Sequence, residues 1–250
     1  MSRISSIGAA LVILTIPSMA LAQTVSRPYL RDVASELACG PQAALVPPAA
    51  TLRIAGSHEP KRTLFAMGDQ VTIDAGTALG VTPGNVYFVR RAVADRFAVP
   101  TADGLLRTSI HTAGWIRILD AQPETAVAII THACDGVETG DYLEPFVLPI
   151  VPTVAPAGVP DYSAPGHIIL GDDRRQTGAA GSLMVLDIGR DRGLTAGQRL
   201  TIFRDTMGGR AAGAHIGEAT AVVVHAETAL VRIESSRDAV SVGDLVAIQR

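Results

Sequence analysis

Four consecutive residues, His132-Ala133-Cys134-Asp135, hold the densest reactive chemistry in this 250-residue chain. A thiol, an imidazole and a carboxylate so close together could form a Cys–His nucleophile or part of a metal site. The rest of the sequence argues for a plainer role. The other five histidines, His58, His111, His167, His215 and His225, form no close pair at metal-ligand spacing. No HExxH run and no Gly-x-Ser-x-Gly elbow occurs. The only other cysteine is Cys39. An even count in an exported chain favours a Cys39–Cys134 bridge, with Cys134 at a strand end. Asp172-Asp173-Arg174-Arg175 reads as a solvated turn, because a calcium site needs more oxygen ligands. No catalytic residue, cofactor or metal is therefore expected. An enzyme using acids of an inter-domain cleft, Asp135 or Asp172, stands as the third-ranked reading.

Glycines four apart, Gly76, Gly80 and Gly84, then Gly189, Gly193 and Gly197, invite comparison with phosphate-cradling loops. No lysine follows them, and their spacing fits neither a dinucleotide nor a P-loop signal. They read as turn residues, with glycine supplying positive φ. Gly140-Asp141 and Gly243-Asp244 each precede a final short strand, and Gly68-Asp69 shows the pairing a third time. Asp is expected there to accept backbone hydrogen bonds in the turn.

These glycines belong to an internal repeat. Residues 76, 80 and 84 match 189, 193 and 197, each pair 113 apart, whereas 114, 124, 125, 140 and 141 match 217, 227, 228, 243 and 244, each pair 103 apart. The first copy thus carries ten extra residues, placed within Ala92–Thr112 around Pro100-Thr101-Ala102-Asp103-Gly104. The second copy has Asp205 to Arg210 there. Both read as hairpin tips, where length changes are tolerated.

The elements that must position these residues are strands. Thr51 to Ala55, Gln70 to Ile73 and Arg199 to Phe203 alternate with period two, the mark of strands with one face buried. Runs such as Val86 to Val89, Ala126 to Ile130 and Ala221 to Val224 are nearly all apolar and suit a closing barrel. In Gly114-Trp115-Ile116-Arg117-Ile118 the alternation sets Trp115, Arg117 and Leu119 on one face and Ile116 with Ile118 on the other. Core filling is the first expectation for Trp115. If exposed, Trp115 with Arg117 and Asp103 would be the interaction surface. Leu30, Val33 and Leu37 fall at helical spacing, so one short helix is expected before Gly40-Pro41. The predicted organisation is an all-β chain: lead-in 23–50, a small barrel over 51–144, a Pro-rich stretch 145–166, and a second barrel over 167–250. The apolar Pro-rich stretch favours an extended path lying on the domains.

The first 22 residues read as a secretory signal peptide: a basic start at Arg3, an apolar run Ile7 to Ile16, Pro17, and Ala20-Leu21-Ala22 before a cut at Gln23. Removing it removes Arg3 alone among charged residues and leaves a formal charge of 20 − 24 = −4. With a single lysine, Lys61, and no basic run, the chain lacks the charge that nucleic acid or an anionic membrane surface demands. No later segment reads as a membrane span. The chain is expected to be periplasmic.

The pattern apolar-Asp-x-Gly-x-x-x-Gly-apolar-x-x-Gly, strand, hairpin, Gly, strand, Thr-Ala-apolar and Gly-Asp-apolar resembles small SH3-like barrel modules of bacterial envelope proteins. These include the C-terminal domain of flagellar assembly protein T and barrels accompanying LysM proteins. The resemblance covers residues 68–143 and 181–248. It implies two tandem SH3-like barrels, and it transfers no functional residue. No LysM segment accompanies them, so peptidoglycan binding does not carry over with the likeness. The leading expectation is a non-enzymatic envelope scaffold with a protein partner. The second is a module binding a cell-wall glycan at Trp115 and the longer hairpin.

Overall fold

The computed structural model describes residues 29–44, 49–93, 108–172, 175–205 and 213–250. It is 52% strand and 7% helix, so the protein is all-β, as the alternation predicts. The signal peptide, Asp103 and both expected hairpin tips (94–107 and 206–210) lie outside the described residues. Among the described residues no helix is long and apolar enough to cross a membrane.

The chain opens with α1 (Tyr29–Cys39) and β1 (Gln42–Ala44). The first copy then runs β2 (Ile54–Gly56), β3 (Leu64–Phe65), β4 (Gln70–Ile73), a 3₁₀ turn at Thr77–Leu79, β5 (Val86–Val93), β6 (Thr108–Ala121), β7 (Ala126–Ala133), β8 (Val137–Glu138) and β9 (Tyr142–Pro145). The second repeats this order: β10 (Pro160–Gly171), β11 (Thr177–Gly178), β12 (Leu183–Leu186), a 3₁₀ turn at Arg190–Arg192, β13 (Arg199–Arg204), β14 (Ala214–Val224), β15 (Ala229–Ser236), β16 (Val240–Ser241) and β17 (Leu245–Gln249).

The second copy is a closed barrel, β10-β12-β15-β14-β13-β17, in which β10 pairs with both β12 and β17. The first copy has the same order, β2-β4-β7-β6-β5-β9. Its end strands meet at one bridge, Arg53↔Tyr142, flanked by Ile54 N–H to Asp141 O at 2.8 Å and Leu143 N–H to Leu52 O at 3.0 Å. The alternation sends one face of each strand inward. Ile73, Val89, Ile116, Ile118 and Ile130 fill the first barrel; Ile168, Leu186, Leu200, Val231 and Val246 fill the second. Each such side chain, withdrawn almost wholly from water, stabilises the fold by about 1.5–3 kcal/mol.

The lead-in is a wedge between the barrels. Leu37 packs with Leu183, Val185, Val222 and Leu230 on the outside of the second barrel. The next residues, Ala38 and Cys39, pack with Phe88 and Trp115 on the outside of the first. Gly40 follows the helix where a Cβ would lie 2.6 Å from Leu230 Cδ2, so a larger residue would have to push that side chain aside. β1 then adds to the edge of β6, with Gln42 opposite Ile110. An ion pair, Arg232 to Glu36 at 3.0 Å, adds to the attachment.

The Pro-rich stretch is shorter than expected and is not free. Its last part, from Pro160, is already β10, where proline at the first residue of a strand costs no interior ladder bond. Before that it is held by Ala155 N–H to Gly197 O at 2.8 Å and by paired Val159–Arg250 backbone bonds.

Candidate functional site

The expected bridge is present: Cys39 and Cys134 are joined, with Cα atoms 5.5 Å apart. Cys39 ends α1 and Cys134 follows β7, so the bridge ties the wedge to the first barrel across 95 residues of sequence. His132 Nε2 lies 3.8 Å from Cys39 Sγ. The bridge and His132 stand on the wall of a cleft of about 590 Å³ between the barrels. Glu36, His111, Asp135, Asp172 and Arg175 also line it. The two acids singled out for an inter-domain site thus share one cleft. Asp135 Oδ1 accepts the N–H of Gly136 at 2.7 Å, a turn contact.

Trp115 is on the face the alternation assigned it, opposite Ile116 and Ile118. That face is the outside of the barrel, yet Trp115 is only 9% exposed. Its ring stacks on His132 at 3.9 Å and 5°. Phe88 meets it edge-on at 5.9 Å, and Phe146 from the Pro-rich stretch covers it at 5.4 Å. It therefore offers no open aromatic platform, because His132 is stacked on its ring and Phe146 and the wedge cover the rest. Arg117 is exposed, and with Trp115, Ser35 and Leu148 it borders a hollow of about 400 Å³. The structure thus keeps Trp115 and Arg117 together. Asp103, outside the described residues, cannot be placed with them.

The repeated turn residues behave as structure. Asp141 accepts the N–H of Glu138, Asp244 that of Ser241 and Asp69 that of Ala66, each three residues back, at 2.8, 2.7 and 2.7 Å. Gly80 and Gly193 close the 3₁₀ turns with φ of 80° and 81°, where any side chain is strained. Gly84, Gly140, Gly197 and Gly243 also have positive φ. Gly76 and Gly189 correct the expectation, since their φ values are −139° and −137°. They are glycine because a Cβ would meet Gln122 O at 1.9 Å and Ala226 O at 2.4 Å.

Sequence reasoning missed what Asp141 and Asp244 also hold. Arg91 grips Asp141 with Nε at 2.7 Å and Nη2 at 2.9 Å. Arg204 grips Asp244 at 2.7 and 2.8 Å. These forks are charge-assisted and bidentate, and the hydrogen bonds to the carboxylates hold both guanidiniums above the ordinary arginine value. The signal was available, for Arg91 and Arg204 are also 113 apart. A second missed group is Arg90, only 6% exposed, which pairs with Glu144 at 2.7 Å and donates to Thr112 Oγ1 at 2.8 Å. Burial lowers its pKa against the opposing pull of Glu144. Tyr142, beside Glu144, is pushed well up by burial and by that carboxylate. His225, from the second barrel, keeps an exposed edge. The surrounding structure still strips enough water from its ring to hold it below the ordinary histidine value, and Arg90 and Arg190 add repulsion.

The most exposed of the described aliphatic side chains lie on the Pro-rich stretch. Along the Pro-rich stretch Val147 is 74% exposed, Ile150 88% and Val159 75%, with Val151 and Val154 less so. The stretch is anchored at Phe146, again at Ala155 and at Val159, so these side chains are presented on a backbone held at several points. No protein-family model matches this chain, and no curated protein matches its sequence.

Proposed function

We propose that the chain is an exported, non-enzymatic envelope protein whose two barrels, of SH3-like kind, form a scaffold for a protein partner. The reading is supported by the signal-like first 22 residues and by a disulfide, which suits an oxidising compartment. The observation that carries it is the anchored row of exposed Val147, Ile150 and Val159. Apolar side chains fixed on an anchored backbone are what a partner chain buries at little ordering cost.

The test is site-specific photo-crosslinking from position 151, beside Ile150, in the periplasm, with capture repeated on a Val147→Asp/Ile150→Asp variant. Each aliphatic side chain buried contributes about 1.5–3 kcal/mol, so the double variant should weaken capture at least tenfold. Leu79→Asp, at an equally open position outside the row (59% exposed), should leave capture intact. A single unchanged partner in all three proteins would sink the reading. Deleting Pro100–Gly104 asks whether the longer hairpin also contributes. Co-sedimentation with purified sacculi tests the glycan reading, which loses its aromatic platform with Trp115 covered. A hydrolase activity abolished by Asp135→Asn or Asp172→Asn would replace the scaffold reading with an enzymatic one.

A further inference from the structure

We infer that the Cys39–Cys134 pair is one of two states, and that its reduced state is a site for a zinc-like divalent cation with His132 as third ligand. The ligand atoms of Cys39, His132 and Cys134 all lie within 4.8 Å of one another. Tetrahedral zinc bound at about 2.3 Å to sulfur and about 2.0–2.1 Å to nitrogen needs a sulfur–nitrogen gap near 3.5 Å; Cys39 Sγ and His132 Nε2 are 3.8 Å apart. A small rotation of the side chains closes that difference once the sulfurs part. The His132 ring is already oriented, because it lies flat on Trp115 at 5°. All three residues are half-buried, which lowers competition from water while leaving an approach through the cleft. Two thiolates and one imidazole suit zinc or cobalt over calcium or magnesium, and the three-ligand set leaves a fourth position for water or a ligand from the cleft.

The chemistry balances with a dithiol reductant. Two electrons and two protons pass from the dithiol to the Cys39–Cys134 bond, giving two thiols, while the dithiol closes to its own disulfide. The cation then displaces both thiol protons to solvent, and neutral His132 supplies the Nε2 lone pair. The metal takes over the tie between wedge and first barrel that the disulfide provides in the oxidised state. This inference is independent of the partner proposed above.

The experiment uses the exported chain, oxidised or reduced with a phosphine, which does not compete as a thiol ligand. Titration with Co²⁺ should give one ion per reduced chain, with a thiolate-to-cobalt charge-transfer band, tetrahedral d–d bands and a change in Trp115 emission. The oxidised chain should give none of these. Zn²⁺ should displace Co²⁺, and His132→Ala should weaken Zn²⁺ at least tenfold. Because the cobalt spectrum needs no variant, a folding defect in His132→Ala cannot rescue or sink the idea. Absence of the thiolate band in reduced wild type, equal binding by the oxidised chain, or Zn²⁺ affinity unchanged in folded His132→Ala would each overturn it.

Discussion

The two barrels share a skeleton and differ on the outside, at positions that the repeat aligns residue by residue. On the first barrel Phe88, Trp115, His132 and Phe146 form one aromatic cluster. On the second the same positions are Thr201, Glu218, Ser235 and Gln249. The registers agree: Phe88 lies opposite Trp115 as Thr201 lies opposite Glu218, and Trp115 opposite His132 as Glu218 opposite Ser235. In the second barrel three of the four form a polar network, with Gln249 Nε2 donating to Thr201 Oγ1 at 3.0 Å and to Glu218. The contrast reverses on another face. Leu183, Val185, Val222 and Leu230 are covered by the wedge. Their equivalents in the first barrel are Gln70, Thr72, Leu119 and Val127, of which Leu119 is 44% and Val127 36% exposed. The inward residues record the shared fold; the outward ones record which neighbour each barrel has. Closure differs likewise, since β10 pairs on both sides whereas β2 relies on a single bridge.

The largest test of this asymmetry removes the bridge. Cys39→Ser/Cys134→Ser frees a 95-residue loop, worth about 4.7 kcal/mol by loop closure. Amide hydrogen exchange should accelerate in β7 of the first barrel while β15, inside a ring of hydrogen bonds, keeps most of its protection. Equal loss in both would break the claim that the first barrel, closed by a single bridge, is the less securely closed of the two. Next, Trp115→Ala should cost about 3 kcal/mol in urea unfolding, the usual loss for a buried large aromatic. Glu218→Ala, at the matching position, should cost about 1 kcal/mol or less. A third pair should show no asymmetry. Gly80→Ala and Gly193→Ala place a side chain at nearly the same left-handed φ with nothing within 4 Å, so each should lose about 1 kcal/mol. The smallest effect concerns pH. His225 titrates below its ordinary value of 6.5 in the fold. As pH falls through that value the unfolded chain gains a proton before the folded one, so stability held above it declines on acidification. His225→Gln should flatten that part of the profile, measured as unfolding midpoint against pH. An unchanged slope would mean that neither burial nor Arg90 acts on this ring.

Much of the skeleton could be read without coordinates. Period-two alternation gives the strands, and the face of Trp115 follows from its neighbours Ile116 and Ile118. The paired offsets give the duplication, and turn chemistry explains Asp141 and Asp244. The bridge followed from cysteine count and the signal-like first 22 residues. What escaped notice has a common physical form. The Arg91–Asp141 fork spans 50 residues and the Cys39–His132 contact 93. Neither distance leaves a periodic trace, since periodicity reports only contacts made along one element. Gly76 was assigned the wrong reason because the clash it avoids comes from a distant turn.

Local sequence by itself determined that this protein would be two rounds of short strands closed by glycine and aspartate turns, because alternation and left-handed φ are properties of neighbouring residues. Only the tertiary structure decided that Trp115 would be covered and that the lead-in would grip both barrels. It also decided that His132 would face the Cys39–Cys134 bridge, because each of these depends on surfaces that meet after both barrels have formed.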